Sequence, residues 1–116
     1  MQYLLSIYTD EAGWAKLPPE QQKQGVAAYV AYTEALKSAG VWVNSNRLRP
    51  SSTATTVRTT DGKTQVLDGP YAESKEQLAG YYLIDVPNLD EALSWAARCP
   101  GAQHGVMEVR AVWPAA

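Results

Sequence analysis

The chain has 116 residues, enough for one domain (1–116) with a two-layer core and too few for two. Ten Lys and Arg against twelve Asp and Glu leave a formal net charge of −2. No basic cluster exceeds Arg47 with Arg49, which excludes the positive footprint that nucleic acid demands. The single cysteine, Cys99, rules out an intramolecular disulfide and suits a reducing compartment. No stretch approaches about 18 consecutive apolar residues, and MQYLLSIYTDEAG carries no basic leader before a long apolar run, so a cytoplasmic protein away from membranes is expected. Phe is absent while Tyr is 7 and Trp 4, so aromatic packing must use rings whose polar atoms need partners when buried.

Tyr3–Tyr8 is a run of strand formers closed by the polar Thr9, Asp10 and Glu11, and predicts a central first strand. Pro18, Pro19 and Glu20 then open a helix whose apolar face is read from Val26, Tyr29, Val30, Thr33 and Leu36, and which stops at Gly40. Gly25 inside it costs about 1 kcal/mol relative to alanine. Val41–Val43 predicts a second strand with Asn44–Pro50 as its irregular exit. Thr53–Thr60 and Lys63–Leu67 are β-branched runs around Asp61-Gly62, the strongest short-range signal for a hairpin.

Asp68-Gly69-Pro70-Tyr71-Ala72-Glu73-Ser74-Lys75-Glu76 follows, a rigid Gly-Pro corner loaded with three carboxylates between apolar runs. Gly80–Val86 predicts a strongly apolar strand closed by Pro87. Asn88 with Glu91 resembles a capping box ahead of a helix bearing Leu89, Ala92, Leu93 and Ala96, which Pro100-Gly101 ends. Val106–Val112 predicts the last strand. The order β-α-β, hairpin, β-α-β is an α+β, ferredoxin-like plan: an antiparallel sheet with two helices on one face and an inserted hairpin. The other face of so apolar a sheet calls for a cover, and a homodimer is the simplest one.

The segments DGPYAESKEQLAGYYLIDV, NLDEALSWAARCP and VMEVRAVWP, with MQYLLSIYTDEAGWAKL and ATTVRTTDGKTQVLDGP before them, resemble the DGPF-type proteins of the YCII-related superfamily over nearly the whole chain. Tyr71 stands where that motif usually has Phe, keeping the ring and adding a hydroxyl. The resemblance implies bacterial dimers that pack sheet against sheet as an α+β barrel, with pockets at the interface. It also implies an accessory role beside extracytoplasmic-function sigma factors. Enzyme-like relatives in the wider superfamily carry a His on the first helix and an Asp before the Pro after the second helix. Here PPEQQKQGVAAYVAYTEALKSAG has no His and Cys99 precedes Pro100, so that dyad is missing.

The residues expected to contact a ligand are Asp68, Tyr71, Glu73, Tyr82, Glu108 and Arg110. Asp68 and Glu73 are also the acid/base candidates, since paired carboxylates beside a cleft can divide those roles. The plainer alternatives are an Asx-type turn at Asp68, and a helical turn start or salt bridge at Glu73. Glu108 and Arg110 lie two apart, about 7 Å, on the strand face opposite Met107, Val109 and Ala111, which places them on the uncovered side as an ion pair or a pocket wall. Tyr81 and Tyr82 take opposite faces, and the sequence does not say which is open.

His104, within Gly101–Gly105, is read as a surface loop residue, and Cys99 as a small buried apolar one. No ligand-spaced cluster suggests a metal, and no Walker or GxGxxG pattern suggests a nucleotide, so neither metal nor cofactor is expected. The leading reading is a dimeric module that binds a small polar or anionic metabolite by the open sheet face and the Gly-Pro corner. The alternatives are a cofactor-independent acid/base enzyme, isomerase- or lyase-like, and a sigma-factor partner with no ligand.

Overall fold

A computed structural model describes residues 1–115. Eleven elements follow one another: β1 (Gln2–Thr9), α1 (Glu11–Lys16), α2 (Pro19–Ser38), β2 (Trp42–Arg47), a 3-10 turn (Ser51–Thr53), β3 (Thr55–Thr60), β4 (Lys63–Asp68), β5 (Gln77–Asp85), α3 (Leu89–Arg98), α4 (Gly101–His104) and β6 (Val106–Ala111). The main sheet runs β2-β5-β1-β6, with every pairing antiparallel. This is the expected α+β ferredoxin-like plan, with β3 and β4 forming a separate two-stranded sheet inserted between its halves.

Alternation along β1 decides the core. Tyr3, Leu5 and Ile7 are buried and pair across to Ile84, Tyr82 and Gly80 of β5 and to Ala111, Val109 and Met107 of β6. That face meets α2 through Tyr32 and Leu36, and α3 through Ala92, Ala96 and Cys99. Because the core has no Phe, its rings carry hydroxyls, and each central one is paired. The Tyr32 hydroxyl donates to the Trp95 carbonyl at 2.7 Å, and the Tyr82 and Thr33 hydroxyls are 2.8 Å apart. The Tyr32 and Tyr82 rings meet edge to face, 5.1 Å between centroids.

Several local expectations change. A short helix, α1, forms because Asp10 caps it, accepting from the Ala12 N–H at 3.1 Å. Strand β2 continues through Arg47 rather than exiting at Asn44, since a bulge at Val43 lets Asn44–Arg47 pair with Leu83–Gly80 although their intrinsic strand preference is low. Strand β5 starts three residues early, at Gln77. Residues 101–104 form a helical turn rather than a loop, with His104 exposed at its end. The buried stripe of α2 is Tyr32 and Leu36 with half-buried Gly25, Tyr29 and Thr33, whereas Val26 and Val30 face out. Leu89 and Leu93 of α3 likewise face out, while Asn88 caps that helix as expected by accepting from the Glu91 N–H at 3.0 Å.

The hairpin turns at Asp61 and Gly62, both at positive φ (51° and 75°), the two-residue geometry that the Asp-Gly pair signals. Its strands pair only with each other, leaving Val57 and Val66, directly opposite one another, 62% exposed and Leu67 60% exposed. The radius of gyration, 16.1 Å, exceeds the roughly 13 Å of a compact chain of this length, as a projecting arm requires.

Gly25 has a packing reason. A Cβ there would stand 2.9 Å from the Trp14 ring, so the glycine is the seat on which α1 rests against α2. In a Trp14→Ala background, Gly25→Ala is expected to recover the full helix-propensity gain of about 1 kcal/mol. In the wild type the same change gains less or destabilises, and denaturant titration of the four proteins of this cycle measures the coupling.

Candidate functional site

The face of the sheet away from the helices carries a polar row that crosses all four strands. Register aligns Glu108 (β6), Ser6 (β1), Tyr81 (β5) and Asn46 (β2) side by side. The next row is Arg110, Leu4, Leu83 and Asn44. Adjacent members of a row sit about 4.8 Å apart at the backbone, so the polar row spans about 14 Å.

Ser6 is 7% exposed, the buried polar residue of this structure. No fully occluded side-chain nitrogen or oxygen lacks a partner among the described residues. The Ser6 hydroxyl has none among the described residues, so it keeps contact with the space above the open face. Beside it, the Tyr81 oxygen accepts from the Asn46 amide at 2.8 Å, with Asn44 approaching at 3.5 Å. The phenol's acceptor side is thereby engaged and its O–H is left to donate outward. Glu108 and Arg110 lie on this same face, as alternation required, with 3.7 Å between Oε1 and Nη2 in an exposed ion pair worth little by itself.

Tyr82 takes the other side. It is 6% exposed, packs on Tyr32, and its phenol, pushed up by burial and moderated by the Thr33 hydrogen bond, belongs to the core rather than to the open face. The tyrosine of the open face is Tyr81.

The Gly-Pro corner lies elsewhere. Gln77, which follows it, pairs with Thr9, three residues or about 10 Å along β1 from Ser6. Asp68 is exposed and its carboxylate makes no hydrogen bond or ion pair among the described residues, so no Asx-type turn forms. Backbone holds the corner instead: the Gly69 N–H donates to the Ala54 carbonyl at 2.7 Å, and the Thr56 hydroxyl donates to the Gly69 carbonyl at 2.8 Å. Glu73 is exposed in irregular chain between two bends, with neither a helical turn nor, among the described residues, a salt bridge. Tyr71 is 78% exposed, with the Arg58 guanidinium 5.7 Å from its ring. The structure brings Glu108 and Arg110 together with Ser6, Tyr81 and Asn46, and does not bring Asp68, Tyr71 or Glu73 to them. Ser6 is not among the expected site residues, although it is the one serine within the apolar run Tyr3–Tyr8.

The YCII-related domain matches residues 1–116. The chain belongs to the YCII-related domain family. A YCII-related relative, an uncharacterised protein of Rhizobium meliloti (strain 1021), is 41% identical over 116 residues, covering 95% of this chain and 90% of that one. A solved structure, the 5-chloro-2-hydroxyhydroquinone dehydrochlorinase of Burkholderia phenoliruptrix AC1100 in complex with 2,5-dihydroxybenzoquinone, shares the fold with a TM-score of 0.56 at 15% identity, over 97% of this chain and 94% of that chain.

Where the dyad of enzyme-like YCII relatives would require an Asp, Cys99 caps α3, fully buried, its thiol pushed up to about 11 by burial. Tyr29 on α2 is pushed up to about 12 by burial, with Cys99 and Tyr82 adding and Arg47 opposing. The place is an apolar joint without a base. No group of three or more His, Cys, Asp or Glu is placed to hold a metal among the described residues, and no helix among them is long and apolar enough to cross a membrane.

Asp68→Asn is expected to change stability by no more than about 0.5 kcal/mol, because the side chain holds nothing; a larger shift of the denaturant midpoint at unchanged slope contradicts this placement. The alkaline limb should be steep. Burial raises the Cys99 thiol from its ordinary 9.0 and the Tyr29 phenol from 10.0, and Tyr32 and Tyr82 in the same direction. Between those values and about 12 the folded state retains protons that the unfolded chain has released. Their stabilisation is complete below about pH 9 and is lost as pH climbs toward 12, which circular dichroism against pH measures, with Tyr29→Phe and Tyr32→Phe delaying the loss.

Proposed function

We propose that this YCII-related protein is a homodimeric binding module that encloses a small polar metabolite between two open sheet faces. The observation that carries the reading is the row Glu108, Ser6, Tyr81 and Asn46, in which a nearly buried hydroxyl without a partner sits between a carboxylate that accepts and a phenol left to donate. A molecule bearing a carbonyl or oxyanion toward Ser6 and Tyr81, and a hydroxyl toward Glu108, satisfies all three. Arg110, one row away, favours an anionic group at that end. Half-buried Leu4 and Leu83 supply an apolar floor for the body of the ligand. A second copy supports the reading because it shields these groups from water and covers surface that one copy leaves open.

Denaturing mass spectrometry of protein purified without additions tests this. A single small molecule should be released in a ratio near one per pocket. Ser6→Ala and Tyr81→Phe each remove one hydrogen bond of about 1 kcal/mol and should weaken retention about fivefold, both together more than tenfold. Sedimentation equilibrium at micromolar concentration should give the dimer mass. A monomer that releases nothing would sink the proposal.

A second reading is cofactor-independent acid/base chemistry on a small organic molecule. What favours it is that the Tyr81 phenol and the Glu108 carboxylate face one space about 10 Å apart at the backbone, and that the fold is shared with a dehydrochlorinase. Turnover of the released molecule that Glu108→Gln abolishes while binding persists would select this reading over simple binding.

A further inference from the structure

Behind the sheet, on the helix side, the end of β2 carries a feature unrelated to the open face. The β2–β5 ladder continues past Arg47, with the Leu48 N–H donating to the Ala79 carbonyl at 2.8 Å. Arg47 and Arg49 therefore flank Leu48 on one side of the strand, by the two-residue alternation of extended chain. Opposite Arg47 stands Gly80, which has no side chain to cover it. An open cleft of about 250 Å³ is lined by Arg47, Leu48, Arg49 and Pro50.

Among the described residues neither guanidinium has an ion-pair partner. The salt bridges among the described residues join Met1 to Asp85 and Arg110 to Glu108, and neither reaches the cleft. The Glu11 carboxylate, beside the cleft at Ser51, makes no ion pair with either arginine: its two oxygens accept from the Ser51 N–H and the Ser51 hydroxyl, each at 2.7 Å. Arg47 is held in place by the Trp14 ring, 5.5 Å from its guanidinium carbon, and Trp14 is itself seated on Gly25. In a chain of net charge −2, Arg47 and Arg49 are two guanidiniums that no carboxylate among the described residues engages in an ion pair.

We propose that this cleft binds a phosphate group, free or carried by a small metabolite, through Arg47 and Arg49. A dianion balances the two charges, and the planar forks of the two arginines match the several oxygens of a tetrahedral phosphate better than the two of a carboxylate. The Trp14 platform fixes Arg47 before binding and so lowers the ordering cost. None of the residues of the polar row on the open face takes part.

Titration of 15N-labelled protein with inorganic phosphate at low ionic strength, followed at the arginine Nε–H resonances, tests this. Those of Arg47 and Arg49 should shift along one saturable curve while those of Arg58, Arg98 and Arg110 stay still. Arg49→Gln, at an exposed position beyond the strand, should weaken binding about tenfold with an unchanged far-UV spectrum. Arg58→Gln, an equal change of charge elsewhere, and Tyr81→Phe on the open face should leave binding intact. A shift that is linear in phosphate, that spreads over all five arginines, or that Arg58→Gln reduces as much as Arg49→Gln overturns the proposal.

Discussion

The packing of Tyr32 and Tyr82 governs this molecule. With no Phe, the aromatic rings of the core are Tyr and Trp, and a buried phenol is costly unless its oxygen is paired. Tyr82 pairs with Thr33 of α2 and Tyr32 of α2 donates to the Trp95 carbonyl of α3, so α2 is tied through hydroxyls to β5 on one side and to α3 on the other. Once Tyr82 is committed to that joint, strand alternation sends Tyr81 through the sheet to the far side. Ser6, Glu108 and Asn46 come to lie beside it because they are its neighbours in register. The chemistry of the open face thus follows from the way the core solves its polar problem.

Two surfaces of opposite character result. The open face is a shallow polar row over an apolar floor, suited to enclosure by another copy. The end of β2 is an open positive notch braced by an aromatic ring. They lie on opposite sides of the sheet, so occupation of one leaves the other accessible. The fold offers one broad sheet face, and the helix-side joint where relatives carry a dyad holds Cys99 and tyrosines made less acidic by burial.

The hairpin is the exception to compactness. A two-stranded sheet with both faces wet is marginal on its own, and this one displays Val57, Val66 and Leu67. Its Asp-Gly turn sets its register, and among the described residues its strands pair only with each other. The Gly-Pro corner at its base inherits that exposure. The carboxylates of Asp68 and Glu73, prominent in the sequence, stand in solvent while hydrogen bonds to the Gly69 backbone hold the turn.

By itself the sequence determined the order of the core strands and the two main helices, the hairpin, the Asn88 cap of α3, the burial of Cys99 and the outward side of Glu108 and Arg110, because each depends on local periodicity or turn chemistry. Tertiary structure decided which tyrosine of the pair is open, since alternation assigns two faces and only the Thr33 contact names them. It decided that Asn44–Arg47 is strand, because pairing with β5 outweighs weak propensity at the sheet edge. It also decided that Ser6, rather than Asp68, stands among the polar groups of the sheet. A carboxylate beside Gly and Pro attracts notice in one dimension, but only cross-strand register brings residues 6, 46, 81 and 108 into a single row.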